Sequence, residues 1–203
     1  MNQRIGIIDY GAGNLMSVAN ALKYLGIDSV ISREKSVLED CSKLILPGVG
    51  AFPYAMDSLE AAGLTDFIKQ QAEKKPLLGI CLGMQMLFDY GEELEHREGL
   101  GLIPGYVDKI PTNLKLPAIG WNSLSFKNDC PMLRDIDDGA YVYFVHSFCG
   151  HVKEREHLAA STDYGCEVTA LVWRDYVYGA QFHPEKSGET GLKMLKNFWE
   201  LTD

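Results

Sequence analysis

The sequence lacks several features that mark whole classes of protein. Its 203 residues carry a net charge of -9 and contain no run of basic residues. A nucleic acid or an anionic membrane surface is therefore not expected as the main partner, since both attract basic patches. No apolar stretch approaches the length of a membrane span. The short apolar stretch at the N-terminus is interrupted by Asp9, so we expect no signal peptide either.

The cysteines also lack the patterns that indicate cross-links or metal sites. They are odd in number, contain no CxxC pair, and are Cys41, Cys81, Cys130, Cys149 and Cys166. A disulfide framework and a zinc site are therefore disfavoured, and a reducing cytoplasm is the expected compartment. We expect neither a metal nor a cofactor.

The alternation of short apolar runs and amphipathic stretches indicates the fold class. No internal repeat, low-complexity tract or linker divides the chain, so residues 1–203 are expected to form one domain. Strands and helices alternate in the first half, which predicts an open, mostly parallel twisted sheet with helices on both faces, as in flavodoxin-like proteins. Short strands joined by turns predict an antiparallel extension in the second half. Residues 190–203 form the last predicted helix.

The first candidate site is Cys81, which stands between glycines in the segment GICLG. Residues 76–80 are predicted to form a strand and residues 82–91 a helix, so the cysteine occupies a sharp turn of the nucleophile-elbow type. The N-terminus of a helix favours a thiolate, and the N–H of Leu82 is free to face an oxyanion. The alternative is a buried structural cysteine, and this segment alone leaves both interpretations open.

A base for that nucleophile is offered by the segment QFHPE. His183 and Glu185 are two residues apart, so an extended chain directs both side chains to the same side. Pro184 between them restricts the backbone to an extended or turned form. Glu185 is then able to orient one imidazole nitrogen while the other faces Cys81. The alternative is an ordinary surface turn after a strand.

The segment PGVG, residues 47–50, follows a third predicted strand. Ligands of open α/β sheets collect at the carboxyl ends of strands, so N–H groups here are candidates for an oxyanion hole. A plain turn is the alternative, and a phosphate loop is disfavoured because no lysine follows. Residues 10–14, YGAGN, lack the third glycine of a dinucleotide fingerprint. His146 lies in an apolar strand and is expected to be a hydrogen-bonded core residue.

Taken together, GICLG with Gln85, PGVG and QFHPE resemble the class I, triad-type glutamine amidotransferases, in the expected order and over nearly the whole chain. The resemblance implies that Cys81 attacks the side-chain amide of L-glutamine with the help of His183 and Glu185. A glutamyl thioester then forms, ammonia leaves, and water releases glutamate.

Further site residues are implied only by this resemblance. Those expected to bind the substrate are Gly50, Gln85, Ser147 and Phe148. Those expected to form the oxyanion hole are Val49, Gly50 and Leu82. In this family the oxyanion loop, here the PGVG segment, is thought to need a peptide reorientation that depends on a ligand bound to the partner synthase. We therefore expect low glutaminase activity from the isolated chain.

Longer segments narrow the resemblance to the glutaminase subunits of imidazole glycerol phosphate synthases, which act in histidine biosynthesis. These segments are IDYGAGNL, PGVGAF, IGWN, YFVHSF and QFHPEKS. The chain ends shortly after Glu185, so no fused synthase domain is expected. The resemblance therefore implies a heterodimer with a cyclase subunit that folds as a (β/α)8 barrel. Asn14, Trp121 and Lys186 match positions that face this partner, although a core tryptophan and a solvated lysine are the alternatives.

Three other functions remain open at this stage. The chain is also compatible with a paralogous subunit that supplies ammonia to another synthase, such as a sugar-modifying enzyme. It is compatible with a free-standing cysteine hydrolase that acts on γ-glutamyl substrates. A catalytically dead, flavodoxin-like binding module is disfavoured, because Cys81, His183 and Glu185 are all present.

Overall fold

A computed structural model describes residues 2–201 of the chain. The strands are β1 (Asn2–Ile8), β2 (Ser29–Ser32), β3 (Cys41–Gly48), β4 (Leu77–Cys81), β5 (Phe88–Gly91), β6 (Arg97–Glu98), β7 (Ile103–Lys109), β8 (Ala118–Ser123), β9 (Ser125–Phe126), β10 (Tyr141–His146), β11 (Phe148–Val152), β12 (Leu158–Asp163), β13 (Glu167–Arg174) and β14 (Val177–Ala180). The α-helices are α1 (Leu15–Tyr24), α2 (Lys35–Glu39), α3 (Phe52–Ala61), α4 (Thr65–Ala72), α5 (Leu82–Gln85) and α6 (Gly188–Trp199). Short 3-10 helices span Pro131–Leu133, Arg155–His157 and Pro184–Lys186. Met1, Thr202 and Asp203 lie outside the described residues. The end of the last predicted helix, at residues 202 and 203, is therefore not described.

A mixed sheet of eight strands forms the centre of the fold, in the order β2-β1-β3-β4-β14-β13-β12-β9. The first five strands are parallel to one another, and β13, β12 and β9 extend the sheet in antiparallel fashion. A four-stranded sheet (β11-β7-β5-β6) and a two-stranded ribbon (β10-β8) accompany it. The predicted fold class, a mostly parallel α/β sheet with an antiparallel extension, is confirmed.

Helices cover both faces of the central sheet. One core cluster contains the buried sides of α1 and α6, and the other contains those of α3 and α4. Within β3, Ile45 belongs to the first cluster while Leu44 and Leu46 belong to the second, as the two-residue period of a strand requires. Such strands, buried on both faces, explain the continuous apolar runs in the sequence. Across the described residues, no helix is both long and apolar enough to cross a membrane.

One predicted element is wrong. The helix expected over residues 82–91 ends at Gln85, and residues 88–91 form strand β5 instead. Met84, Met86, Leu87 and Phe88 are all fully buried, and an unbroken buried run has the same composition in a helix and in a strand. Residues 88–91 form a strand because they pair with β6 and β7. The ring of Phe88 also packs closely on Gly150 of β11, where a Cβ would lie 2.3 Å from the ring.

Three glycines allow the start of α5 to press against the ends of β3 and β4. A Cβ on Gly83 would lie 1.8 Å from the carbonyl oxygen of Leu46, and one on Gly79 would lie 2.6 Å from the carbonyl oxygen of Gly83. A Cβ on Gly48 would lie 2.6 Å from the amide nitrogen of Gly83. These contacts are between backbones and leave no room for any side chain. They fix the turn that carries Cys81.

Substitution of Gly83 by alanine tests this contact. We expect Gly83→Ala to lower the free energy of unfolding by about 3 kcal/mol, because the backbone of β3 cannot yield to the new methyl group. Gly26→Ala is the matched control, since Gly26 has φ +72 but open space around it. The control is expected to cost only about 1 kcal/mol, from the left-handed conformation. Equal losses in chemical denaturation would contradict the role given to the backbone contact.

Candidate active site

Cys81 occupies a strained turn between β4 and α5. Its backbone has φ 55 and ψ -112, a conformation that non-glycine residues rarely adopt and that persists where the surroundings enforce it. The residue is 7% exposed, and its Sγ lies 3.8 Å from the carbonyl oxygen of Val145 and 3.9 Å from Nε2 of Gln181. The turn therefore presents the thiol at the N-terminus of α5, as the elbow geometry predicts.

Strand pairing brings the second candidate segment to the same place. β14 runs parallel to β4 with Ala180 opposite Ile80, so both chains leave the sheet at the same edge, one residue later. Cys81 follows one strand, and Gln181, Phe182 and His183 follow the other. Two segments about a hundred residues apart in sequence thus meet at the carboxyl ends of neighbouring strands, where ligands of α/β sheets bind.

His183 and Glu185 form a buried pair. His183 Nδ1 lies 2.9 Å from Glu185 Oε1, and the two side chains are 5% and 1% exposed. The backbone between them turns as a 3-10 helix, Pro184–Lys186, so of the two forms allowed by Pro184 the turned one occurs. The contact predicted for an extended segment is therefore made across a turn.

Ser187 holds this turn in position and was not singled out by the sequence. Its Oγ donates to the carbonyl oxygen of His183 (2.6 Å) and accepts from the N–H of Tyr143 on β10 (2.9 Å). The N–H of His183 donates in turn to the carbonyl oxygen of Tyr143 (2.9 Å). The histidine backbone is thus joined to β10 on both sides, which fixes the direction of the imidazole.

The two histidines near the thiol differ in their electrostatics. Burial lowers the pKa of His183, but hydrogen bonds and charge interactions with Cys81 and Glu185 outweigh it and raise the pKa to about 9. Burial lowers the pKa of His146 to about 4, although a hydrogen bond with the carbonyl oxygen of Phe148 opposes this. The charge of His183 lowers the pKa of His146 further. His146 lies 2.8 Å from that oxygen and is neutral at pH 7, as expected for a core histidine.

A cavity of about 330 Å³ opens beside the thiol. The predicted site residues that line it are Val49, Gly50, Cys81, Leu82, Gln85, Ser147, Phe148, His183 and Lys186. The other residues that line it are Glu93, Pro117, Val145 and His146. Glu185 stands behind His183. Glu93 was missed because it belongs to the charged segment EELEHRE, which has the composition of a solvated loop.

Gln85 is held rigidly on the wall of this cavity, one helical turn beyond Cys81. Its Nε2 donates to the carbonyl oxygen of Phe148 and to Oε1 of Gln181, both at 3.0 Å. Gln181 is fully buried and was likewise not singled out by the sequence. Because both amide hydrogens of Gln85 are engaged within the protein, its carbonyl oxygen is the group that remains for a ligand.

The PGVG loop lies at the mouth of the cavity. Val49 is 46% exposed, and Gly50 has φ +103, a conformation that favours glycine. Leu82, by contrast, is buried at the start of α5. One candidate side of an oxyanion hole is therefore rigid and the other lies in an exposed loop.

Two of the three candidate partner-facing residues lie outside the cavity. Asn14 occupies the N-cap position of α1, where its Oδ1 accepts from the hydroxyl of Ser17 at 2.8 Å. Trp121 on β8 is 55% exposed, so it is not a core tryptophan. Ile119 and Tyr141 are similarly exposed on the β8–β10 ribbon. The ribbon thus presents an apolar face that continues from the cavity wall.

The chain matches known proteins over almost its full length. Residues 6–201 match the family described as Glutamine amidotransferase class-I. A protein of Caldanaerobacter subterraneus subsp. tengcongensis named imidazole glycerol phosphate synthase subunit HisH is 52% identical over 198 residues, covering 97% of this chain and 98% of that one. A protein of the same name from Desulfitobacterium hafniense is 51% identical, with 96% and 92% covered. The solved structure of PurLQS from Thermotoga maritima shares the fold, with a TM-score of 0.75, 22% identity and 98% of each chain covered. The chain therefore belongs to the class I glutamine amidotransferase family.

Proposed function

We propose that the chain is the glutaminase subunit of an imidazole glycerol phosphate synthase, and that residues 1–203 act as one amidotransferase domain. It hydrolyses L-glutamine and passes ammonia to a cyclase that makes imidazole glycerol phosphate and an aminoimidazole carboxamide ribonucleotide in histidine biosynthesis. The observation that carries the proposal is the thiol of Cys81 on a strained turn beside the His183–Glu185 pair. The relatives named for that synthase, at about half identity, support the choice of subfamily.

The first chemical step uses the charge pattern of the site. The thiolate of Cys81 attacks the side-chain carbonyl carbon of glutamine, and a tetrahedral oxyanion forms. Protonated His183 then donates its proton to the departing amide nitrogen, so the C–N bond breaks, ammonia leaves and a glutamyl thioester remains. Glu185 keeps the imidazole oriented and stabilises its positive charge, as the third member of a triad does.

The second step reverses the role of the histidine. His183 is now neutral and accepts a proton from water, whose oxygen attacks the thioester carbonyl. The C–S bond breaks, glutamate leaves, and the thiolate of Cys81 and the imidazolium of His183 are regenerated. Both steps pass through an oxyanion, which we assign to the N–H of Leu82 together with an N–H of the Val49–Gly50 loop.

The cavity fits the amino-acid end of glutamine. Glu93 is the acidic residue among those described at the cavity wall, and its carboxylate suits the α-ammonium group. The carbonyl oxygen of Gln85 offers a second acceptor for the same group. The backbone groups of Gly50, Ser147 and Phe148 remain to bind the other parts of glutamine. A carboxylate and an amide oxygen that together bind an ammonium group are expected in a site for an amino-acid substrate.

We assign the partner surface to the face that carries Asn14, Trp121 and Lys186. The exposed apolar side chains of the β8–β10 ribbon suit a protein interface, since such patches on monomers mark contact sites. The proposed partner is a separate cyclase with a (β/α)8 barrel, and the heterodimer acts in the cytoplasm. Ammonia free in water at neutral pH would be protonated and lose its nucleophilicity, so the proposed interface encloses a channel for it.

Replacement of the nucleophile tests the chemistry. Cys81→Ser and Cys81→Ala are expected to reduce glutamine hydrolysis by roughly 10⁴-fold or more, because no thioester can form. The reconstituted complex is expected to keep its synthase activity with added ammonium salts, which bypass the glutaminase. Glutamate release and cyclase product are measured side by side. Normal glutamine hydrolysis by either variant would refute the role of Cys81.

Reconstitution tests the choice of partner. We expect the isolated chain to hydrolyse glutamine roughly 100- to 1000-fold more slowly than the complex with its cognate cyclase and ribonucleotide substrate, as for loss of one oxyanion donor. Glutamate release is measured with and without each component. Full turnover by the isolated chain would instead support a free-standing hydrolase, and stimulation only by another synthase would support a paralogous subunit.

The charge state of His183 is a third test. Its pKa of about 9 lies above the unfolded value, so its protonation stabilises the folded state below about pH 6.5, and this contribution is lost as the pH rises through 9. Cys81→Ala and Glu185→Gln each remove one of the groups that raise the pKa, so both are expected to lower it. NMR titration of the imidazole protons measures the change, with His96, which contacts Glu92 and Glu98 instead, as the internal reference. A His183 pKa that neither variant moves would contradict the proposed pairing.

A further inference from the structure

The loop that carries Val49 and Gly50 is fixed at both ends. Upstream, the backbone of Gly48 lies against the start of α5, at the elbow. Downstream, α3 begins at Phe52, whose N–H donates to Oε2 of Glu93 at 2.8 Å. The ring of Phe52 is fully buried against Gly91, where a Cβ would lie 2.8 Å from Cγ of the ring. Residues 49–51 alone lie between these two anchors.

The downstream anchor depends on the connection between β5 and β6. Leu94 in this connection has φ +64, a strained conformation for a non-glycine residue, and its side chain is 73% exposed. The strain is therefore not compensated by burial of Leu94, and the contacts of its neighbours must hold the connection in this form. Arg97 on β6 adds a second tether to α3, with its Nε 3.0 Å from Oδ1 of Asp57 and a terminal nitrogen 2.5 Å from Oε2 of Glu60. The connection therefore holds α3 along its side and, through Glu93, at its first residue.

Residues 49–51 can change conformation only by rotation of their peptide groups, because both ends of this loop are fixed. Because Gly48 and Phe52 are held, a change of conformation is confined to rotation of the peptide groups between them. Gly50 tolerates such rotation, since glycine populates positive and negative φ about equally. The position of Phe52 thus sets where the rotating N–H groups can point.

We propose that Glu93 is a positioning residue that couples the binding of glutamine to the position of the oxyanion loop. This inference rests on the proposed glutaminase function. One oxygen of the carboxylate holds the N–H of Phe52, while the same side chain lines the cavity that receives the substrate. The α-ammonium group of glutamine, bound to this carboxylate, restrains Glu93 and therefore the first residue of α3. The substrate thereby helps to hold the N–H donors that its own oxyanion requires.

Two substitutions separate the two roles of Glu93. Glu93→Gln keeps an oxygen that accepts from Phe52 but removes the charge, whereas Glu93→Ala removes both. Both are expected to raise KM for glutamine roughly 10- to 100-fold, since hydrogen bonds to charged groups contribute about 1.5–3 kcal/mol. Glu93→Ala is expected also to lower kcat roughly 10- to 100-fold relative to Glu93→Gln, because only alanine leaves the N–H of Phe52 without its acceptor and the loop misplaced. The assay is glutamate release by the complex with its cognate cyclase and ribonucleotide substrate.

Glu95 supplies the matched control. It lies in the same connection, is exposed, and does not line the cavity, so Glu95→Gln and Glu95→Ala are expected to leave both constants unchanged. Equal kcat values for Glu93→Gln and Glu93→Ala would overturn the proposal, because the acceptor for Phe52 would then be irrelevant to the chemical step.

Amide hydrogen exchange reads the tether directly and without activity. The N–H of Phe52 is expected to be protected in the wild type, in Glu93→Gln and in both Glu95 variants, and to exchange at least about tenfold faster in Glu93→Ala. Unchanged protection in Glu93→Ala would overturn the proposal. A wild-type complex that releases no glutamate would instead refute the proposed function, so the two failures are distinguishable.

Discussion

The site depends on backbones that touch where no side chain fits. Gly83 lies against the carbonyl of Leu46 and against Gly48 and Gly79, and this contact holds the first turn of α5 to the ends of two strands. Cys81 can therefore keep a strained, positive φ without relaxing into an ordinary turn. The same contact fixes the upstream end of the oxyanion loop. The position of the thiol and the start of the loop are thus consequences of one packing constraint.

The register of the parallel sheet supplies the rest of the proposed triad. Because Ala180 pairs with Ile80, the chains after β14 and β4 emerge side by side. The turn after β14 then only has to bring Glu185 back to His183, which Pro184 and the bridging hydroxyl of Ser187 accomplish. The three side chains of the proposed triad are therefore held by the register of the sheet and by this one turn, whereas the Val49–Gly50 side of the oxyanion hole lies in an exposed loop.

The sequence predicts the residue types of this site better than their surroundings. Glycines around Cys81 and the spacing of His183 and Glu185 are local signals, and the first-half strands and helices follow from apolar periodicity. The end of α5 was predicted wrongly, because Met86, Leu87 and Phe88 continue the apolar pattern of the helix while residues 88–91 form a strand by pairing with β6 and the distant β7. Glu93 gave no signal, since its partner is a backbone N–H 41 residues away. What the sequence cannot supply is contact between segments that are far apart in the chain.

The buried charges make the proposed triad a single electrostatic unit. Glu185 is almost completely buried, and within residues 2–201 its Oε2 has no hydrogen-bond partner, which is costly for a carboxylate. The positive charge of His183 offsets that cost, and interactions with Cys81 and Glu185 raise the pKa of this histidine despite its burial. His146 is similarly buried but has no carboxylate partner among the described residues, and burial keeps it neutral instead. The same low-polarity environment thus yields an imidazolium at one position and a neutral imidazole at the other, and the neighbouring carboxylate and sulfur decide which histidine carries the proton.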